Sequence, residues 1–385
     1  MHIKPVYITD LAIFLPGTAI ENGSIETVLG MAGATPSRSR RIILRNNKIL
    51  RRHYAIDPTT GMATHTNAEL SAAAVRALRP YPDFTPDDIN VLCCGTSSPD
   101  QLMPGHASMV HGELGSQPCE VVSTAGICVS GMMALKYGWM SVATGQSSNA
   151  VVVGSELASS YLRGDFCRPD DPEKVNQLEK SPELAFEADF LRWMLSDGAG
   201  AAYLSAQRPP EGLTLRIDWI DQLSFAGHME TCMYAGAMKG SDGKLRGWRS
   251  YPTLHAACRA GAFPIKQDVK LLNQEVITTA VERTLQPLIA KHHLAAETVD
   301  WFLPHYSSEY FRQELADHMD AIGFAVPQEK WFTNLREKGN TGSASIYIIL
   351  EELFHSGKLT KGEKILCFIP ESGRFSMCYM QLTVA

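Results

Sequence analysis

Short apolar runs typical of strands alternate with helical segments along most of this chain. In the first half, the runs "INVLCCGTS", "AVVVGSE" and "GAGAAYLSA" have the composition of buried strands. Ahead of them, "THTNAELSAAAVRAL" has the apolar spacing of a helix, with Thr66 or Asn67 as its N-terminal cap. This alternation predicts an α/β protein whose sheets are covered by helices.

The second half of the chain repeats this organisation. The helical segment "VKLLNQEVITTAVERTLQPLIAKHH" precedes the strand "VDWFLPH", and the helical segment "TGSASIYIILEELFHSG" precedes the paired strands "KILCFIPES" and "FSMCYMQLTV". In the first half a strand is followed by a cysteine and then a helix, and in the second half a strand is followed by a histidine and then a helix. This match predicts duplicated halves at 1–206 and 207–385. The segments 161–190 and 209–264 carry charge, Gly and Pro and are predicted to be loops or caps over a site.

Composition and residue spacing exclude several classes of protein. The chain has 385 residues, of which 45% are hydrophobic, and can bury a large core. It has no apolar run long enough to span a bilayer and no signal peptide pattern, so we expect a cytoplasmic protein. Its nine cysteines lack a C-x-x-C pair and its twelve histidines lack a metal-ligand spacing. We therefore expect neither a disulfide framework nor a metal nor another cofactor.

A basic block interrupts a chain that is acidic overall, with a net charge of −6. Between Glu26 and Asp57 there is no acidic residue, while the basic residues there are Arg38, Arg40, Arg41, Arg45, Lys48, Arg51 and Arg52. The block is either a solvated face or a binding site for phosphates or an acidic carrier protein. Nucleic acid is disfavoured because the block lacks interleaved aromatic residues.

Cys128 lies between a strand-like run, "EVVSTAG", and a helical run, "VSGMMALKYGWMSVATG". At such a turn, backbone N–H groups and the helix dipole favour a thiolate, so we expect a thiol pKa below the ordinary value of about 8.5. The alternative is a small apolar side chain that fills a crowded turn.

Two polar residues of the second half are candidate partners of this cysteine. His305 follows the buried-looking strand "DWFLP", and Asn340 lies in the Gly-rich turn "EKGNTGSAS". An imidazole and an amide that donate to one carbonyl oxygen would stabilise an enolate, while the cysteine holds an acyl group as a thioester. Each also has a structural interpretation, His305 as a hydrogen-bonded core histidine and Asn340 as a helix cap.

The sequence resembles the ketoacyl synthase III family of the thiolase superfamily, with motifs in the family's order along nearly the whole chain. These motifs are "RRHYA", "GTSSPDQLMPG", "STAGICVSGMMAL", "VVVGSE", "SDGAGAAYL", "PHYSS" and "GNTGSAS". The resemblance implies the thiolase fold, in which two duplicated α/β halves form a layered αβαβα arrangement. It also implies an acyltransferase that acts on thioesters of an acyl carrier protein or coenzyme A.

The resemblance assigns roles to individual residues. Cys128 would be the acylated nucleophile, and His305 with Asn340 would bind the thioester carbonyl of the second substrate. Gly373, in "PESGRF", would contribute a backbone N–H to an oxyanion hole together with the N–H of Cys128.

The resemblance also assigns roles to one residue at the entrance of the substrate tunnel and to one residue at the contact with a partner subunit. Arg52 matches an arginine near the mouth of the pantetheine tunnel. Met103, which precedes Pro104, matches a residue that one subunit inserts into the acyl pocket of its neighbour. The resemblance therefore implies a homodimer and no membrane or nucleic-acid partner.

Departures from the family pattern suggest a more specialised reaction. "PHYSS" stands where the family has P-H-Q-A-N, and "PESGRF" stands where it has F-G-G-G-F, which places Glu371 and Arg374 near the oxyanion hole. Such variants look similar to the ketosynthase/cyclase branch that makes cyclohexanedione precursors of dialkylresorcinols and bacterial stilbenes. Glu371 is then a candidate substrate-binding residue or base, although a surface carboxylate is the simpler interpretation, and Asp100 is a weaker candidate.

Other functions remain open at the level of the sequence. One is a plain initiating synthase that condenses an acyl-CoA with a malonyl carrier protein. Another is a non-catalytic subunit of a heterodimeric synthase, which would need none of Cys128, His305 and Asn340. Chalcone synthase-type relatives should show a G-F-G-P-G turn that is absent here, and no catalytic glutamate of the hydroxymethylglutaryl-CoA synthase type can be assigned.

Overall fold

The computed structural model describes residues 3–32, 36–37, 39–164 and 190–385. Its strands are β1 Tyr7–Phe14, β2 Ile20–Glu21, β3 Arg51–Arg52, β4 Val91–Thr96, β5 Glu120–Ala125, β6 Asn149–Glu156, β7 Gly198–Ser205, β8 Leu215–Ser224, β9 Met233–Tyr234, β10 Ala237–Lys239, β11 Leu245–Gly247, β12 Lys266–Gln267, β13 Trp301–Pro304, β14 Lys364–Glu371 and β15 Ser376–Val384. Its α-helices are α1 Ile25–Leu29, α2 Arg40–Asn47, α3 Asn67–Ala77, α4 His106–Leu114, α5 Ser130–Thr144, α6 Ser159–Leu162, α7 Leu254–Arg259, α8 Val269–Ala280, α9 Gln286–His292, α10 Phe311–Ala321, α11 Leu335–Lys338 and α12 Ser345–Phe354.

One nine-stranded sheet runs through both halves of the chain in the order β13-β14-β15-β8-β1-β7-β6-β4-β5. In the first half, β4 pairs in parallel with β5 and β6, and β7 is antiparallel to both β6 and β1. In the second half, β13 pairs in parallel with β14, and β15 is antiparallel to both β14 and β8. The two sets meet where β1 pairs with β8.

The two sets of strands repeat one topology. The parallel bridge between Phe302 and Trp331 occupies the place that β5 has in the first half. Consequently Cys128, between β5 and α5, corresponds to Asn340, between this bridge and α12, while His305 after β13 corresponds to Ser97 after β4. The predicted match of the cysteine with the histidine is therefore wrong, because residue order along the chain does not reveal strand order in the sheet. The predicted boundary at 206/207 falls between β7 and β8 and stays a prediction.

Alternate residues of the strands face different helix layers. In β4, Leu92 and Cys94 pack in the cluster that contains α3 and α4, whereas Val91 and Cys93 pack in the cluster that contains α5 and α12. The same period of two separates the faces of β14, whose other side packs against α8, α9 and α10. The first-half strands therefore lie between α3 and α4 on one side and α5 and α12 on the other, and the second-half strands lie between α5 and α12 and the helices α8, α9 and α10. The two parts of the continuous sheet thus form two sheet layers in the order helix, sheet, helix, sheet, helix. The α/β class and the layered arrangement are confirmed.

Three predictions for individual segments need comment. The helix after "THT" begins at Asn67 with Thr66 as its cap, which accepts a hydrogen bond from the Glu69 N–H. The segment 209–264 was predicted to be loop but contains β8, whose Asp218 and Asp221 lie partly exposed among apolar residues and conceal the strand pattern. The predicted cap at 161–190 lies mostly outside the described residues.

Gly131, in the first turn of α5, lets the two central helices approach each other. A Cβ at this position would overlap the carbonyl oxygen of Ser343 and would lie 3.0 Å from the ring of Tyr347. The Tyr347 hydroxyl donates to the Gly131 carbonyl oxygen at 2.8 Å, so the ring cannot move away without loss of a buried hydrogen bond. A side chain at this position therefore has no space.

We predict that Gly131→Ala destabilises the protein by about 2 kcal/mol or more, because backbone atoms must move to admit the methyl group. Thermal denaturation of the variant, compared with the wild type, measures this loss. The matched control is Gly112→Ala in α4, where a Cβ meets nothing within 4 Å and helix propensity improves. Equal melting temperatures for the Gly131 variant and the wild type would contradict the packing described here.

Candidate active site

A cavity between the two halves is lined by residues from many elements, and Cys128, His305 and Asn340 all line it. Cys128 and His305 lie just beyond the strands β5 and β13, and Asn340 lies in an isolated parallel bridge with Leu195. Apolar side chains form most of the remaining wall, among them Met194, Leu272, Val276, Ile277 and Phe311. The structure thus brings together three residues that the sequence separates widely.

Cys128 lies at the predicted strand-to-helix turn but in a different electrostatic environment from the one expected. Its side chain is buried, and burial raises the thiol pKa well above its ordinary value, with further increases from Glu371 and Glu156. The predicted lowering of this pKa is wrong, because the loss of water and two nearby carboxylates outweigh the helix terminus. The resting state of Cys128 is a neutral thiol.

His305 is buried just after β13, where its backbone N–H donates to the backbone carbonyl oxygen of Phe368 at 2.8 Å. Burial lowers the pKa of its imidazole to about 4. The ring is therefore neutral near pH 7 and carries one N–H donor and one acceptor nitrogen. A neutral imidazole N–H stabilises a developing negative charge by donating a hydrogen bond, without transferring its proton.

Asn340 is held in one orientation by backbone contacts. Its backbone N–H donates to the Met194 carbonyl oxygen, and its backbone carbonyl oxygen accepts from the Ser196 N–H. The side-chain Oδ1 accepts from the Gly342 N–H at 2.9 Å. This contact assigns the amide oxygen and leaves Nδ2 with no hydrogen-bond partner within the described part of the chain. Nδ2 is thus the group that can donate to a bound carbonyl.

Glu156, at the end of β6, is a buried carboxylate of the cavity wall to which sequence reasoning gave no role. It accepts hydrogen bonds from the hydroxyl groups of Ser97 and Ser98 at 2.6 and 2.7 Å and from the Ser343 N–H at 3.2 Å. Burial raises its pKa and these hydrogen bonds oppose the rise. The sequence feature that could have indicated this buried carboxylate is the position of Glu156 at the end of the apolar run "VVVGSE".

Glu371 is buried, so its interpretation as a surface carboxylate is wrong. Its Oε2 accepts from the N–H groups of Ile127 and Val129 at 3.0 and 3.3 Å. A Cβ at Gly373 would lie 3.0 Å from both Oε1 and the Ile127 side chain, so the predicted oxyanion-hole glycine packs beside this turn. The cavity itself is lined by Pro370 and Ser372 rather than by Glu371 or Gly373.

The structure places Arg52 in the protein interior, fully buried. Its guanidinium donates to the Asn22 side chain at 2.7 Å and to the Trp193 carbonyl oxygen at 3.1 Å. A residue in this position cannot contact a phosphate at a tunnel mouth, so the prediction for Arg52 is wrong in this respect. In the same block, Arg41 and Arg45 are exposed, and Arg38 lies outside the described residues.

The loop after β4 carries the remaining candidates. Met103 is 75% exposed, as an insertion into a neighbouring subunit requires, and that role stays a prediction. Asp100 accepts from the N–H groups of Asn67 and Ala68 at 2.7 and 2.9 Å, at the start of α3. Asp100 therefore stabilises a helix terminus.

The chain is similar in sequence to known synthases. Residues 289–369 match the model of the 3-oxoacyl-[acyl-carrier-protein] synthase III C-terminal family. The chain is 23% identical to β-ketoacyl-[acyl-carrier-protein] synthase III of Chlorobaculum tepidum over 366 residues, 93% of each protein. It is 25% identical to β-ketoacyl-[acyl-carrier-protein] synthase III 3 of Streptomyces coelicolor, over 93% of this chain and 91% of that protein. The chain is thus similar to β-ketoacyl-[acyl-carrier-protein] synthases III over most of its length.

Solved structures confirm the predicted thiolase fold of this ketoacyl synthase III-like chain. AbyA1, a tetronic acid condensing enzyme, superposes with a TM-score of 0.73 at 20% identity over 98% of this chain and 99% of that chain. A cysteine-to-serine variant of OleA from Xanthomonas campestris, solved with lauric acid and lauroyl-CoA, gives the same TM-score and identity over 99% of both chains. The synthase III of Aquifex aeolicus gives 0.68 at 18% identity, over 98% and 99%.

Among residues 3–32, 36–37, 39–164 and 190–385, no helix has the length and apolar character needed to cross a membrane. In the same ranges, no group of three His, Cys, Asp or Glu side chains is arranged to hold a metal ion.

We predict that the His305 ring stays neutral from about pH 5 upward, because its pKa lies near 4 rather than 6.5. The measurement is the NMR chemical shift of its Cε1–H as a function of pH, assigned by its loss in His305→Ala. The exposed His255 serves as the reference signal in the same spectra. A His305 titration midpoint between pH 6 and 7 would contradict the burial of this ring.

Proposed function

We propose that this chain is a condensing ketosynthase that joins two acyl thioesters through an acyl group held on Cys128. The convergence of Cys128, His305 and Asn340 on one apolar cavity is the observation that carries the proposal. The relatives are named β-ketoacyl-[acyl-carrier-protein] synthases III, which supports substrates carried by an acyl carrier protein or coenzyme A. A non-catalytic subunit would need neither the thiol nor the two donors.

The first half-reaction loads Cys128. Its sulfur attacks the thioester carbonyl, the bond between that carbonyl and the carrier's sulfur breaks, and the thiol proton leaves with the carrier thiol. We place the oxygen of the tetrahedral intermediate at the N–H of Cys128, which makes no hydrogen bond to another described residue. Gly373, the second donor implied by the family resemblance, packs beside the Cys128 turn but does not line the cavity in this structure. The apolar wall holds the acyl chain.

The second half-reaction forms the carbon–carbon bond. His305 and the Nδ2 group of Asn340 donate to the carbonyl oxygen of the second thioester, so that the adjacent carbon becomes nucleophilic as an enolate. The C–H bond of that carbon breaks as the enolate forms, the carbon attacks the acyl carbonyl on Cys128, and the carbon–sulfur bond breaks. Cys128 leaves as a thiolate and takes up the equivalent of the proton lost from the carbon. The neutral imidazole of His305 suits this step because its ring N–H can donate a hydrogen bond to the enolate oxygen while the ring itself carries no charge.

The finer proposal concerns the substrates. A β-ketoacyl thioester has an acidic C–H between two carbonyl groups and forms an enolate without decarboxylation. We propose that this thioester is the donor, that the acceptor is an α,β-unsaturated acyl chain, and that a second bond closes a cyclohexanedione ring, as in precursors of dialkylresorcinols and stilbenes. The support is that both altered segments lie at the site: Tyr306 and Ser307 line the cavity beside His305, and Ser372 lines it beside Glu371.

The proposed assembly is a homodimer that receives substrates from a carrier. Leu102 and Met103 are 72% and 75% exposed on one loop, and the outermost strand β5 alternates exposed with half-buried residues. An exposed sheet edge beside an exposed apolar loop fits a second copy of the chain. The exposed Arg41 and Arg45 of α2 would then contact the carrier or its phosphate.

We predict that loading and condensation depend on different residues. Cys128→Ala should abolish the acyl adduct detected by intact mass, because no other residue of the proposed mechanism forms it. His305→Ala and Asn340→Ala should still load, whereas condensation of preloaded enzyme should fall about a hundredfold for each lost donor. Acylation of Cys128→Ala would overturn the nucleophile assignment. Normal condensation by the other two variants would overturn theirs.

We predict further that a β-ketoacyl thioester and an α,β-unsaturated acyl thioester give a cyclic 1,3-dione, identified by mass spectrometry and NMR. The parallel reaction contains a malonyl donor and a saturated acyl thioester. Turnover with the malonyl donor alone, yielding a linear β-ketoacyl thioester, would establish the alternative of an initiating synthase and exclude cyclisation.

A further inference from the structure

Each half of the fold ends an inner strand with a buried glutamate. Glu156 ends β6 and Glu371 ends β14, and these strands occupy corresponding places in the repeated topology. Glu156 accepts from the Ser343 N–H, just ahead of α12. Glu371 accepts from the N–H groups of Ile127 and Val129, just ahead of α5. Each half therefore supplies a carboxylate to the turn that opens the central helix of the other half.

The turn bound by Glu371 carries Cys128. The carboxylate accepts from the N–H groups on both sides of this residue, while the N–H of Cys128 makes no hydrogen bond to another residue within the described ranges. We propose that Glu371 is a positioning residue that fixes this turn so that the Cys128 sulfur and N–H both face an acyl thioester. The role of the turn in acyl transfer rests on the ketosynthase function proposed above.

Glu371 acts through the backbone rather than on the substrate. Its Oε2 is engaged by two amide groups, and its Oε1 lies beside Gly373. Among the residues described, the cavity is lined by its neighbours Pro370 and Ser372 and not by Glu371. A carboxylate in this position is poorly placed to remove a proton from a bound substrate, which separates the positioning role from that of a base.

The same contact has an electrostatic consequence. Two carboxylates, Glu371 and Glu156, disfavour a thiolate at Cys128 in addition to burial. The other titratable groups of the cavity wall are His305, which burial keeps neutral near pH 7, and the hydroxyl groups of Tyr161 and Tyr306, whose pKa values are raised by burial. No cation lines the described part of the cavity, and the influence that opposes the carboxylates is the contact of the thiol with the backbone N–H of Cys128, which lowers its pKa. Glu371 thus holds Cys128 in its protonated form as well as in place.

The test uses Glu371→Gln, which keeps the shape of the side chain and removes its charge. The rate of iodoacetamide alkylation at Cys128 is measured against pH from the mass of its peptide. We expect the midpoint to fall by about one pH unit, because a nearby negative charge is removed. Acyl loading compared at equal thiolate fraction should fall at least about tenfold, because a neutral amide oxygen holds the two N–H groups that donate to Oε2 less strongly than a carboxylate oxygen does.

The matched control is Glu363→Gln, immediately before β14. This carboxylate also accepts from a backbone N–H, that of Thr360 at 2.8 Å, and from the Trp301 indole at 3.0 Å, but it lies at the opposite end of the strand from Glu371. The control should leave both the alkylation midpoint and loading unchanged. A purely structural role of Glu371 would lower the melting temperature and both reactions together without shifting the midpoint, and this result would overturn the proposal.

The wild type provides a second measurement, which does not depend on whether Glu371→Gln folds. Its Cys128 alkylation midpoint should lie above the ordinary thiol value of about 8.5. A midpoint at or below that value would overturn the electrostatic part of the proposal. Because iodoacetamide replaces the acyl substrate, these results stand even if the protein proves not to be a ketosynthase, so the two proposals fail separately.

Discussion

The contact between the starts of α5 and α12 is the constraint on which the rest of the site depends. Gly131 and Gly154 both face the carbonyl oxygen of Ser343 so closely that neither position has room for a Cβ. The turns ahead of these helices carry Cys128 and Asn340, which therefore reach the same cavity from opposite halves. Close packing in the central layer thus determines the geometry of the chemistry.

Burial then sets the protonation states of the groups that meet there. Removal from water favours the neutral form of every ionisable side chain, so Cys128 rests as a thiol and His305 as an imidazole. A neutral imidazole and an amide are donors that carry no charge of their own, which suits an enolate that forms only during reaction. Burial raises the pKa of Glu156 and Glu371 as well, and the hydrogen bonds that each carboxyl group accepts oppose that rise.

The duplicated topology is symmetric, while the side chains that it carries are not. Corresponding turns bear Cys128 in one half and Asn340 in the other, and corresponding strand ends bear Ser97 and His305. One half can therefore hold a covalent intermediate while the other half supplies donors to a second carbonyl.

The sequence by itself determined the α/β class and the turn that carries Cys128, because strand and helix periodicity is a local feature. The layered fold was implied by the resemblance to the ketoacyl synthase III family, which rests on the order of motifs along the whole chain. The sequence could not determine which strands are neighbours, so the correspondence of Cys128 with Asn340 emerged only in the sheet. Burial was equally hidden: Glu371 and Arg52 read as surface charges, and the Cys128 thiol as acidified. Solvent exclusion depends on residues from distant parts of the chain, and only the tertiary structure brings them together.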